Sequence, residues 1–125
     1  MSETRAVTFQ ALGFLRLHMF LAAMPVRTRG EWEYADHLGR LLAPTAEERV
    51  ANGWVEGYDG NGARQLQCSR LATFTRELTE AERRQLLALV NDPPEGVGWR
   101  YSEKAAYDAL VMALGGTVLV EGVWQ

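Results

Sequence analysis

The chain has 125 residues, of which 47% are apolar and 23% charged, a balance that excludes an intrinsically disordered segment and suits one globular domain over residues 1–125. The single cysteine, Cys68, excludes an intramolecular disulfide framework, so a reducing, cytoplasmic setting is expected. The net charge of −3 is unevenly spread: residues 31–62 hold seven acidic residues against two basic ones, and residues 63–84 hold five basic residues against three acidic ones.

The most apolar stretch runs from Ala6 to Val26. Gln10, Arg16 and His18 interrupt it and Glu3 precedes it, which fits neither a secretory signal nor a membrane span. Within residues 7–24 every odd position from Val7 to Ala23 except Gly13 is apolar, while Thr8, Gln10, Arg16 and His18 fall on even positions. That period of two predicts a strand bent near Gly13 in preference to a helix, although Leu, Ala and Met favour helix.

Three capping boxes mark helix starts further on, each a Thr whose hydroxyl and a Glu three residues later satisfy each other's orphan backbone N–H groups. They are Thr28 with Glu31, Thr45 with Glu48, and Thr79 with Glu82. The first predicts a helix over residues 29–42, with Tyr34, Ala35, Leu38, Leu41 and Leu42 as its core stripe. Glu33, Asp36, His37 and Arg40 form the solvated face, where Glu33–His37 and Asp36–Arg40 pair at a spacing of four. Pro44 ends it, and a short helix over residues 46–52 follows, closed by Gly53 in a left-handed cap.

The runs over residues 54–58 and 63–74, joined by Asp59-Gly60-Asn61-Gly62, predict a β-hairpin. A third helix spans residues 80–90 and stops before Pro93-Pro94. Ser102 is expected to cap a fourth helix over residues 103–114, apolar on nearly every side and therefore the dry centre of the fold. Gly115-Gly116 ends it, and Thr117-Val118-Leu119-Val120 is expected to pair as a strand inside the sheet. The fold class expected is α+β, with about four helices packed on a small antiparallel sheet that includes one hairpin.

Signatures of catalysis or metal binding do not emerge from this pattern. His18, His37 and Cys68 have no metal-ligand spacing, and no metal or cofactor is expected. Cys68, between Leu66 and Leu71, reads as a small buried hydrophobe rather than a nucleophile. The Gly57–Gly62 loop lacks the Gly-Lys of a phosphate-binding loop, and Ala63 and Arg64 stand where a calcium loop needs an oxygen ligand and a glycine. Glu47, Glu48, Glu80 and Glu82 occupy helix first turns, where the helix dipole accounts for them. No Gly-x-Ser-x-Gly elbow is present.

Two binding functions remain. The order helix, turn, helix, hairpin over residues 28–74 has the topology of a winged-helix nucleic-acid-binding domain, with Arg64, Arg70, Arg83 and Arg84 as the available basic patch. The acidic stretch over residues 31–62, with Glu47 and Glu48 on the would-be recognition helix, works against phosphate. The reading preferred is a non-enzymatic protein-binding module, an adaptor or small inhibitor of a larger bacterial or phage machine. Its expected partner contacts are Tyr58, Asp59 and Arg64 on the hairpin and Trp99, Arg100 and Tyr101 in the third connection, because amphipathic aromatics beside arginine supply interface hot spots. The alternative for Trp99 and Tyr101 is that they pin a long loop to the core.

Overall fold

A computed structural model describes residues 3–116. In chain order the elements are β1 (Thr4–Gln10), α1 (Ala11–Ala23), α2 (Arg29–Leu41), α3 (Ala46–Ala51), β2 (Val55–Tyr58), β3 (Arg64–Gln67), β4 (Thr73–Thr79) and α4 (Glu80–Asn91). A 3-10 turn (Tyr101–Glu103) then leads into α5 (Lys104–Ala113). The α+β class is as expected; among the described residues the strands form two two-stranded antiparallel sheets, β1–β4 and β2–β3. No helix among the described residues is long and apolar enough to cross a membrane.

The amino-terminal stretch departs from the strand expected over residues 7–24. Alternation holds through β1, where Val7 and Phe9 are buried and Ala6, Thr8 and Gln10 are exposed. Beyond Gln10 the buried side chains are those of Ala11, Phe14, Leu17 and Phe20, a helical repeat of three, with Gly13 buried beside them. The odd-position pattern there was misleading because the even positions Leu12, Phe14, Phe20 and Ala22 are apolar too, so the stretch carries both periods. Gly13 is not a bend; it lies within α1 facing Leu110 of α5.

The partner of β1 is β4, in the register Val7 to Arg76 and Phe9 to Phe74. The expected second hairpin strand over residues 63–74 is therefore divided. β3 ends at Gln67, the chain turns through Ser69, whose N–H donates to Asn52 O and whose carbonyl accepts from Ala72, and β4 begins at Thr73. Thr79 closes β4 and also caps α4.

All three capping boxes form. Gly53, at φ +62°, closes α3 in a Schellman turn, with Gly53 N–H donating to Val50 O and Trp54 N–H to Arg49 O. Ser102 does not cap the last helix. It lies inside the 3-10 turn, and the Glu103 carboxylate accepts the Arg100 N–H at 2.8 Å instead. The Asp36–Arg40 pair forms at 3.0 Å, whereas the expected Glu33–His37 pair does not. Arg29 takes Glu33, and His37 reaches across to Glu82 of α4 at 2.8 Å, a contact between elements that spacing within one helix does not reveal.

The expected central helix is also corrected. α5 buries Leu110 and Val111, and Leu114 beyond its end, but Met112 is 68% exposed, so it packs by one side only. The element at the centre is α1, which touches α2, α4, α5, β1 and β4. Its Phe14 stacks on Phe74 at 4.0 Å between ring centroids and meets Trp54 edge-on at 5.9 Å. The strand expected over Thr117–Val120 lies outside the described residues.

Candidate functional site

Because α1 is apolar around most of its circumference, it carries a second stripe that the core absorbs only in part: Leu15 packs against it while Leu12 and Met19 stay exposed. Leu12, Leu15, Met19 and Ala22 recur at helical spacing along one side, with Leu12 42% and Met19 44% exposed. The β2–β3 hairpin stands across from this stripe and contributes Leu66 and Arg64, and the two together enclose an open groove of about 310 Å³. Arg16 and His18 complete its walls.

Each polar group in the groove is held by the fold. The Arg16 guanidinium donates through Nε to Glu103 at 3.0 Å, bonds the same carboxylate through a second nitrogen, and touches Met19 Sδ at 3.0 Å. Burial pushes the Glu103 carboxyl up, but the bond from Arg16 and the N–H of Arg100 outweigh it and leave its pKa below the ordinary value. His18 is hydrogen-bonded through Nε2 to Leu42 O at 2.9 Å and packs against the rings of Phe14 and Trp54. Burial pushes its pKa down, so the ring is neutral near pH 7 and Nε2 donates to the carbonyl. Arg64 is paired with Glu56, which also takes Arg49 Nη1 at 3.0 Å and thereby ties the hairpin to α3.

The expected contact residues divide between two places. Tyr58 and Arg64 are paired across the hairpin, with Tyr58 77% exposed. The Asp59 carboxylate accepts the N–H groups of Asn61 and Ala63 at 2.8 and 2.9 Å, so its role is to hold the turn, which Gly62 completes at φ +82°. Trp99 is partly buried: its indole N–H donates to Val90 O at 3.0 Å and its ring packs edge-on against Phe20 and Tyr107, which pins the α4–α5 connection to the core. Arg100 and Tyr101 are exposed, Tyr101 by 75%. The two sets approach each other through α1, since Arg64 and Arg16 line the same groove and the Glu103 that binds Arg16 also caps Arg100.

Absent from the expected set are Leu12, Leu15, Met19 and Ala22. Their spacing of three and four was present in the sequence but hidden by reading the stretch as a strand. For chemistry other than apolar contact the surroundings offer little. Burial raises the pKa of the Cys68 thiol, away from the thiolate that nucleophilic attack requires, and among the described residues no three His, Cys, Asp or Glu side chains converge as a metal site. Of the basic residues on the winged-helix reading, Arg64 is paired with Glu56, and Arg83 and Arg84 both with Glu80.

Fold and groove define an α+β protein with an apolar cleft between a central helix and the β2–β3 hairpin. No protein-family model, curated protein or solved structure matches the chain.

Proposed function

We propose that this chain is a non-enzymatic protein-binding module whose contact surface is the groove between α1 and the β2–β3 hairpin. The occupant is a short peptide segment of another protein that inserts two or three apolar side chains between the Leu12, Leu15, Met19 stripe and Leu66. The carrying observation is the exposure of that stripe on a helix whose other side is the centre of the core. A partly exposed apolar row beside an arginine is the usual material of a recognition site, where burying each large side chain contributes about 1.5–3 kcal/mol. Exposed Tyr58, across the hairpin from Arg64, extends the surface. An adaptor or a small inhibitor of a larger machine in the cytoplasm is the role such a surface suits.

The winged-helix alternative has less support, because three of its four arginines already carry carboxylate partners and α3 presents Glu47 and Glu48 in its first turn. The test is affinity capture from native lysate with the parent chain, with Leu12→Glu/Met19→Glu, and with Val50→Glu as a control on exposed α3. Saturable capture of the same partner by the parent and the control, lost with the double variant, supports the groove. Equal capture by all three, or capture that duplex DNA competes away in a salt-dependent manner, overturns it.

A further inference from the structure

The chain contains the dipeptide Asn-Gly twice, at Asn52-Gly53 and at Asn61-Gly62, and the fold holds the two differently. In such a pair the backbone nitrogen of the glycine is the nucleophile nearest the asparagine side-chain carbonyl carbon, and glycine, with no Cβ, lets it swing into reach. A five-membered ring closes only when that nitrogen lies on the same side of the Cα–C bond as the side chain, so the backbone at the asparagine must be free to turn.

At Asn52 the fold prevents this. The residue ends α3 at φ −102° and ψ 4°, which keeps the Gly53 nitrogen away from the side chain. Its Nδ2 donates to Thr73 O at 3.0 Å, its carbonyl accepts the Ser69 N–H at 2.8 Å, and its own N–H donates to Glu48 O at 2.8 Å. Ring closure there would break the end of α3 and its ties to β4 and to the turn before β4 together.

Asn61 stands at the tip of the β2–β3 hairpin, where it and Gly62 are both exposed. Among the described residues, and apart from its chain neighbours, no heavy atom lies within 4 Å of the point a Cβ on Gly62 would take, so the ring has room to form. The Gly62 N–H donates to Asp59 O at 3.0 Å, a turn bond at the surface, and opening such a turn is among the least costly motions of a fold. Asp59-Gly60 beside it is a related pair. The Asp59 carboxylate, however, accepts the N–H groups of Asn61 and Ala63, and an ionised group held by two donors is a poor electrophile, which leaves the neutral carboxamide of Asn61 as the reactive one.

We infer that Asn61 is a site of spontaneous modification in the folded protein, deamidating through a succinimide, while Asn52 is protected. The Gly62 nitrogen gives its proton to a solvent base and attacks Asn61 Cγ. The N–Cγ bond forms, the Cγ–Nδ2 bond breaks, and ammonia leaves after taking a proton from solvent. Water then opens the ring, at Cγ to give aspartate or at the backbone carbonyl carbon to give isoaspartate. Either product adds a negative charge close to Asp59, and isoaspartate routes the main chain through Cβ, lengthening the turn that sets the Tyr58–Arg64 register. The hairpin thus carries a residue whose charge and backbone change as the protein ages.

Incubation of the full-length protein in mildly alkaline buffer, native and in urea, followed by digestion with a glutamate-specific protease and mass spectrometry, tests the inference; cleavage after Glu56 separates the two asparagines. In the native protein the mass gain of deamidation is expected at least about tenfold faster at Asn61 than at Asn52, because only the hairpin tip opens locally. In urea, where neither turn persists, the two rates are expected within about threefold of each other. Equal native rates, faster reaction at Asn52, or the same ratio in urea as in buffer overturn it, the last because sequence and not the fold would then set the rates. A labelled methyl group placed by a protein isoaspartyl methyltransferase on the aged parent, and absent from aged Asn61→Ser, supports the site. Equal labelling of the two overturns it.

Discussion

Arg76 joins β4 to the end of α2 and to α3 through one guanidinium. Its position in β4 opposite Val7 turns the side chain inward, over the ring of Phe14 at 5.5 Å from the centroid. From there Nε donates to Leu41 O at 2.7 Å, one terminal nitrogen to Ala43 O at 2.9 Å, and both terminal nitrogens to the Glu48 carboxylate at 2.7 Å. The guanidinium thus satisfies carbonyls at the end of α2 and clamps the carboxylate that caps α3, and the Arg76 bond holds Glu48 below the ordinary carboxylate range. A lysine ammonium has the charge but not the planar fork, and cannot reach all three acceptors together. Arg76→Lys is expected to lower the unfolding free energy by about 1–3 kcal/mol, and Arg76→Met by more, since Glu48 then loses its cation. Urea midpoints measure both; a lysine variant as stable as the parent would remove the clamp.

Helix α1 is where the two periods of the sequence compete, and packing decides between them. Phe14 and Phe20 both enter the core only if the chain turns by about 100° per residue, because a continued strand would put them on the face opposite Leu17. Gly13, which invited the idea of a bend, is an ordinary helix position with φ below zero. A Cβ there would meet three atoms of Leu110, each at 3.6 Å, which is normal contact and no clash. Gly13→Ala is therefore expected to stabilise the protein by about 0.5–1 kcal/mol through helix propensity and a smaller unfolded-state entropy, read as a raised denaturant midpoint. A drop in midpoint would mean that α5 cannot accept the added methyl and that the α1–α5 contact is tighter than described.

For the whole molecule, acid stability divides into two windows. Burial makes the folded protein prefer neutral His18, whose pKa is lowered from 6.5, while the unfolded chain takes up its proton near 6.5. Between those values the unfolded state binds more protons, so stability falls as the pH drops from 6.5 toward the folded pKa, and is lost further only below it through other groups. Those groups are Glu48, Glu56, Glu82 and Glu103, whose partners hold their pKa values below 4.5; their contribution is intact above 4.5 and disappears as the pH falls through the folded values. His18→Gln retains a donor for Leu42 O without titrating, so its stability is expected to change less than that of the parent between pH 7 and 5. Chemical denaturation across that range checks it, and parallel curves would assign the first window to another group.

What the sequence determined by itself was local. The boxes Thr28–Glu31, Thr45–Glu48 and Thr79–Glu82, the Gly53 cap and the Asp59–Gly62 turn each depend on residues at most five apart, so spacing alone displays them. Tertiary structure decided the rest. The pairing of β1 with β4, the bond from His37 to Glu82, the pinning of Trp99 under Val90 and the choice of α1 over α5 as the centre all join residues distant in the chain. Their energies depend on which surfaces meet, and a stretch such as residues 11–23, apolar at both periods, acquires one structure only when its neighbours leave one set of side chains room to be buried.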